Sequence, residues 1–331
     1  MTRFFYGCGH EQFDPASLLA HAVAAEDAGF EGIGCSDHFQ PWWEPGESGQ
    51  AWIWLGALGH ATRRVPIGSA VTAPIYRYHP ALVAQAFATL EYMNPGRAYL
   101  GLGSGESLNE SPFGMDWPRP AEQLGRLEEA LELIDRLFDG QRVDQHGRYF
   151  STKDAYLHTR PERRPPIYVS AFYPEAARLA GRLGDGLWSL ADPEKVPDLI
   201  DAYRGGADDA GREPGEILLQ TGFSWAESDE QALEGARMWK GAGPPEYYVD
   251  DWHDPARMYE HAEQTIDDEQ FRELQIISAD PSEHAERIRA IEQLGATTVV
   301  LMNISGADPL AAIATYARHV LPAVRGRRVS R

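Results

Sequence analysis

His38 stands where its neighbours would let it move a proton. It follows Asp37 and precedes Trp42 in the run Ser36-Asp37-His38-Phe39-Gln40-Pro41-Trp42. An imidazole gains and loses a proton near neutral pH, an adjacent carboxylate can orient or charge it, and an indole can wall a flat ring. A second candidate is Gly101-Leu102-Gly103-Ser104-Gly105-Glu106, whose glycines let backbone approach a ligand closely while Glu106 supplies a carboxylate. A third is Ala171-Phe172-Tyr173-Pro174-Glu175-Ala176, where Pro174 marks a helix start whose free N–H groups can seat a phosphate. Each also has a plainer use, as a cover for a core end, a glycine-rich turn or an ordinary helix start. No His, Cys or Asp cluster has metal-ligand spacing, and no Gly-x-Ser-x-Gly elbow is present.

These segments need elements to position them. Short apolar, β-rich runs alternate with longer amphipathic stretches, the pattern of βα units around a parallel sheet. Strands are expected at 4–8, 32–36, 66–71, 98–102, 167–170, 186–190, 217–224 and 297–302. Helices are expected at 15–28, 80–92, 121–138, 174–183, 195–209, 229–240, 281–294 and 308–324. Residues 142–159 read as a hairpin-like insertion, and 241–275 as a long excursion. The pattern predicts an α/β fold, a (β/α)8 TIM barrel forming a single domain over 1–331, with insertions after strands four and seven. A doubly wound sheet is the alternative. It would want a glycine-rich dinucleotide turn early, which Gly7-Cys8-Gly9-His10-Glu11-Gln12 does not supply. On a barrel, chemistry sits at the C-terminal ends of strands, and the three candidate segments each follow one.

The bulk numbers narrow the partners. With 331 residues and 43% hydrophobic content the chain can bury a large core. A formal net charge of −20 argues against binding nucleic acid or an anionic membrane surface. Lysine occurs only at 153, 195 and 240, so most positive charge is arginine. Cys8 and Cys35 lie in apolar segments and read as buried thiols. The first residues lack a signal-peptide core and no apolar run reaches membrane-span length, so a soluble, cytoplasmic protein is expected.

Four runs carry a resemblance: Ser36 to Trp42; Tyr76-Arg77-Tyr78-His79-Pro80; Ala84-Gln85-Ala86-Phe87-Ala88-Thr89; and Gly103-Ser104-Gly105-Glu106-Ser107-Leu108-Asn109-Glu110. Together they resemble the F420-dependent glucose-6-phosphate dehydrogenase-like family of the luciferase-like monooxygenase superfamily. The resemblance implies coenzyme F420, a deazaflavin, held by Asp37, Ser104, Gly105 and Asn109, with its phosphate seated on Phe172, Tyr173, Glu175 and Ala176. Ala70-Val71 would take the cis peptide that backs the ring. Ala73 stands where the family has Thr and would touch the ring through its backbone alone. The implied chemistry is hydride transfer from a carbinol carbon to the deazaflavin C5. His38 would take the hydroxyl proton, Trp42 would position the substrate, and Glu106 would manage the proton at N1. A homodimer is also implied.

The departures bear on the substrate. The family's sugar-phosphate enzymes grip phosphate with a Thr and a Lys after strand six and with a Lys and an Arg in the long insertion. Here the first stretch reads Leu190-Ala191-Asp192-Pro193-Glu194-Lys195, and Tyr259-Glu260-His261 and Glu273-Leu274-Gln275 stand at the second. Trp42, Leu190, Lys195 and Glu260 are the substrate-side candidates, and Glu260 and Glu273 would repel a phosphate. The expected substrate is therefore an uncharged sugar or another secondary alcohol. The other readings are a sugar-6-phosphate dehydrogenase, an FMN-dependent monooxygenase and a non-catalytic flavin-binding barrel.

Overall fold

A computed structural model describes residues 1–306 and 308–326 of the chain. The elements run β1 (Arg3–Cys8), α1 (Pro15–Ala28), β2 (Gly32–Cys35), α2 (Ala51–Ala61), β3 (Ile67–Ser69), α3 (Pro80–Met93), β4 (Ala98–Leu102), α4 (Ser107–Glu110), α5 (Pro120–Phe138), β5 (Val143–His146) and β6 (Ser151–Ala155). They continue with β7 (Ile167–Ser170), α6 (Pro174–Leu183), β8 (Gly186–Leu190), α7 (Val196–Asp209), β9 (Glu216–Ser224), α8 (Asp229–Ala236), α9 (Pro255–Thr265), α10 (Asp268–Leu274), β10 (Ile276–Ile277), α11 (Pro281–Gln293), β11 (Thr298–Asn303), α12 (Pro309–Thr315) and α13 (Leu321–Arg325).

Parallel pairing joins β9, β11, β1, β2, β3, β4, β7 and β8 in that order, and β8 pairs back onto β9. The sheet therefore closes into an eight-stranded barrel, which rules out the open doubly wound alternative. All eight expected strands are present within three residues at each end. β10 adds a two-residue strand beside β9, and β5 and β6 form the expected antiparallel hairpin.

Burial on both faces explains why the strands read as continuous apolar runs. Phe5, Tyr99, Tyr168, Trp188, Leu218 and Val300 point inward and fill the barrel. Their neighbours Phe4, Tyr6, Val299 and Leu301 point outward under the helices. A third cluster lies beneath the insertion after β9 and includes Trp42, Trp43, Trp239, Tyr247, Phe271 and Ile304. Cys8 and Cys35 face each other across the β1–β2 register as buried free thiols, and burial holds both in the thiol form. Among the described residues no helix is long and apolar enough to cross a membrane.

Three segments differ from the expectation. Residues 51–61 form α2, for which the sequence offered no reading; it is apolar on nearly every side and gives no 3.6-residue stripe. The excursion after α8 is not irregular but carries α9 and α10, each started by an aspartate whose side chain accepts from first-turn N–H groups. The closing helix is broken by a π turn over Tyr316–Val320.

The α6–α7 pair sets where the N-terminus of α6 points. A Cβ on Gly181 would lie 2.0 Å from the Tyr203 carbonyl oxygen, and one on Gly206 would lie 2.1 Å from that of Arg178. The helices touch backbone to backbone at these glycines. Alanine is better than glycine in a helix by about 1 kcal/mol, but overpacking against backbone costs about 1–3 kcal/mol. Gly181→Ala should therefore destabilise the fold by about 1–2 kcal/mol, read as a lower urea midpoint at unchanged m-value.

Candidate active site

β2 carries Ser36, Asp37 and His38 out at the C-terminal rim of the barrel. The His38 imidazole lies between two carboxylates. Its Nδ1 is 3.4 Å from Glu11 Oε1 and its Nε2 is 3.8 Å from Glu106 Oε2. Neither distance is a formed hydrogen bond, and such contacts commonly tighten only when substrate is bound. The Trp42 ring packs on the imidazole at 5.1 Å between centroids.

Each carboxylate has its own anchor. Glu11, from the loop after β1, is only 1% exposed and accepts a 2.7 Å bond from the Ser36 hydroxyl, which itself accepts from His10 N at 3.0 Å. Glu106 accepts from Asn109 Nδ2 at 2.9 Å. Asn109 Oδ1 in turn accepts from the backbone N–H of Phe39 at 2.8 Å and of Gln40 at 3.4 Å. One buried amide thus ties the Glu106 loop to the His38 loop.

Beneath them lies a buried charged layer. Asp37 accepts from Thr72 Oγ1 at 2.7 Å and Tyr78 Oη at 3.3 Å, and Arg77 Nη2 is 3.3 Å from its carboxylate and also bonds its backbone carbonyl. Arg77 Nε lies 3.4 Å from Glu110 Oε1, and the Arg77 N–H donates to Glu110 Oε2 at 2.8 Å. Burial, then the charge of Asp37, pushes the Tyr78 phenol up to about 12. Burial raises Glu110 to about 7, even though Arg77 opposes the shift.

The cofactor-side candidates line the adjoining rim. Ala70–Val71 is a cis peptide, and Ala73 is buried. Ser104 and Gly105 are half-buried; Gly105 has φ +76°, and a Cβ there would lie 3.1 Å from that of Ala73. Tyr173 is the N-cap of α6 and makes no side-chain capping bond, with Glu175 and Ala176 in the first turn. Phe172 packs its ring on Tyr248 at 5.2 Å. Asn109, expected as a cofactor ligand, has its side chain engaged within the protein at both ends.

The substrate-side candidates do not converge as Trp42 does. Leu190 ends β8 at 40% exposure, and Lys195 pairs with Asp192 at 3.4 Å on the surface. Glu260 is exposed on α9. In the insertion Lys240 is buried against Asp268 at 2.7 Å, Arg237 pairs with Asp268 and Glu234, Arg257 with Asp254, and Arg272 donates to the Asp229 carbonyl. Among the described residues no cluster of His, Cys, Asp and Glu could hold a metal ion.

Sequence reasoning missed Glu11, Glu110 and Tyr248. Glu11 follows the end of β1, so the rule that places Asp37 at the rim reaches it as well. Tyr248 sits in the excursion, where no strand end marks it.

The Glu110 shift gives a signed stability test. Between its ordinary 4.5 and about 7 the folded protein holds a proton that the unfolded chain has lost. Stability must then fall as pH rises through that window, by at most about 1.4 kcal/mol per pH unit. Glu110→Gln should remove this slope. Urea midpoints from pH 5 to 8 should fall in the parent relative to the variant, and parallel curves would refute the assignment.

The luciferase-like monooxygenase family model matches residues 1–298. The chain is 40% identical over 331 residues to an F420-dependent glucose-6-phosphate dehydrogenase of Microbacterium testaceum, covering 98% of each chain. It is 39% identical to an F420-dependent hydroxymycolic acid dehydrogenase of Mycobacterium tuberculosis, covering 96% of this chain and 86% of that one. The fold overlays that of an F420-dependent secondary alcohol dehydrogenase solved with an F420-acetone adduct, at a TM-score of 0.94 and 33% identity over 98% and 99% of the two chains. With its closed barrel and whole-length likeness to these proteins, the chain belongs to the luciferase-like monooxygenase family.

Proposed function

We propose that this protein is an F420-dependent dehydrogenase that oxidises the carbinol group of a secondary alcohol or uncharged sugar, with no need for a 6-phosphate. The observation that carries the reading is the Glu11–His38–Glu106 line under Trp42, a proton relay built at the barrel rim. The family membership and the F420-dependent relatives support the cofactor.

The rim fits a deazaflavin. A Cβ on Gly105 would crowd Ala73 and Ile75, so glycine keeps that turn close against the rim, and the uncapped first turn of α6 leaves N–H groups for a phosphate. Ser104, Gly105, Ala70, Val71 and Ala73 would line the ring, with Asp37 beneath. Phe172, Tyr173, Glu175 and Ala176 would seat the phosphate. Asn109 would act through Glu106 and the 39–40 backbone. When bound, the deazaflavin accepts a hydride at C5.

The protein's part is to handle protons. As the carbinol C–H leaves as hydride, His38 takes the hydroxyl proton, leaving a ketone or lactone. Glu106 supplies the proton at the N1 side of the ring. His38 has then gained a proton and Glu106 has lost one, and at 3.8 Å between Nε2 and Oε2 a single bridging hydroxyl or water would carry the proton back. Glu11 would stabilise the charged imidazole through Nδ1. In the reverse direction the same groups exchange roles.

The cations of the insertion and Lys195 already hold carboxylate or carbonyl partners, which supports an uncharged substrate. A panel of isopropanol, glucose and glucose-6-phosphate, followed by loss of deazaflavin absorbance, should show turnover without the phosphate; turnover of the phosphate ester alone would refute it. His38→Ala should lower kcat by about 10²–10⁴-fold with deazaflavin affinity kept, and full turnover by that variant would remove His38 from the mechanism.

A further inference from the structure

The segment from Ala242 to His253 crosses the rim as a strap. Ser107, next to Glu106, donates its hydroxyl to the Trp252 carbonyl at 2.6 Å. Trp117 Nε1 donates to the Val249 carbonyl at 2.9 Å, and Gln40 Nε2 to that of His253 at 3.2 Å. Where the strap begins, a Cβ on Gly241 would lie 2.6 Å from the Trp42 carbonyl oxygen. The strap is thus fastened to the loops that carry His38 and Glu106.

Tyr248 is what the strap presents there. Its ring packs on Trp42 at 5.5 Å and on Phe172 at 5.2 Å, and Trp42 in turn packs on His38 at 5.1 Å. Its hydroxyl is turned away and donates to the Ala242 carbonyl at 2.8 Å. Burial, then the charges of Glu106 and Glu11, holds that phenol well above its ordinary range. The site therefore meets an aromatic face with no polar group to offer.

We propose that Tyr248 determines substrate specificity: its ring is the apolar wall against which a hydrocarbon substituent of the carbinol carbon packs, so the substrate class is an alkyl- or aryl-substituted secondary alcohol. This rests on the dehydrogenase reading and selects between its two substrate classes, since a sugar would set hydroxyls against the Trp42–Tyr248–Phe172 faces without partners. Burying one methylene is worth about fourfold in binding.

The test is a series of isopropanol, 2-butanol, 2-pentanol and glucose with deazaflavin, run on the parent, Tyr248→Phe, Tyr248→Leu and Tyr248→Ala. In the parent, kcat/KM should rise about fourfold per methylene and exceed that for glucose. At saturating deazaflavin, Tyr248→Phe should keep the rise, Tyr248→Leu should weaken it, and Tyr248→Ala should flatten it with the pH profile of kcat unmoved. The leucine variant, which retains apolar volume on Trp42, serves if the alanine variant does not fold. A uniform loss across all alcohols in Tyr248→Ala, or in Tyr248→Leu where that replaces it, would mean a structural role and overturn the proposal. A parent that prefers glucose would overturn it while leaving the dehydrogenase reading intact. A parent that binds deazaflavin yet oxidises nothing in the series or in the phosphate panel would sink that reading first.

Discussion

Four carboxylates meet at the barrel rim, Glu11, Asp37, Glu106 and Glu110, and the layer beneath them holds a single buried guanidinium, that of Arg77. A buried carboxylate costs several kcal/mol unless it is paired or hydrogen-bonded, and the rim answers that cost unevenly. Arg77 is placed between Asp37 and Glu110 and answers part of their charge, while burial keeps Glu110 raised to about 7. Glu11 and Glu106 have no cation of their own and rely on a hydroxyl and an amide, Ser36 and Asn109. Both side chains stand beside His38, one at each ring nitrogen, and it is His38 that takes the proton in the proposed oxidation.

The barrel was legible because its strands are buried on both faces and so appear as apolar runs, and because proline marks the first turn of α1, α3, α6, α11 and α12. Helix α2 was not, because a segment such as Ala51-Trp52-Ile53-Trp54-Leu55 has no polar face to reveal its period. The candidate site was readable where a residue follows a strand end, as with Asp37, His38 and Glu106. Asn109 was readable as a site residue but not in its manner of action, since its partners at 39–40 and 106 are fixed by the tertiary fold alone. Lys195 and Glu260 lie in loop and insertion segments that no strand end marks, and a lysine paired to Asp192 cannot be told from a free one in sequence.

Net charge and local charge tell the same story at different scales. A surface of −20 repels anions at long range, though screening confines that effect to about 8–10 Å. A substrate phosphate at the insertion, away from the α6 N-terminus, would call for cations of its own. Arg257 and Arg272, the nearest in sequence to Glu260 and Glu273, pair with Asp254 and the Asp229 carbonyl, and Lys240 is buried against Asp268.

The insertion after β9 therefore does more than cover the rim. By laying aromatic faces over Trp42 it lowers the polarity around Glu11, His38 and Glu106, and charge interactions grow as water is excluded. The Tyr248 phenol, raised first by burial and then by the charges of Glu106 and Glu11, belongs to that same environment. A cover built from hydroxyls or lysines would screen the relay that it encloses. An apolar cover strengthens charge interactions among Glu11, His38 and Glu106, and under the proposed dehydrogenase reading it also presents an apolar face to the substrate.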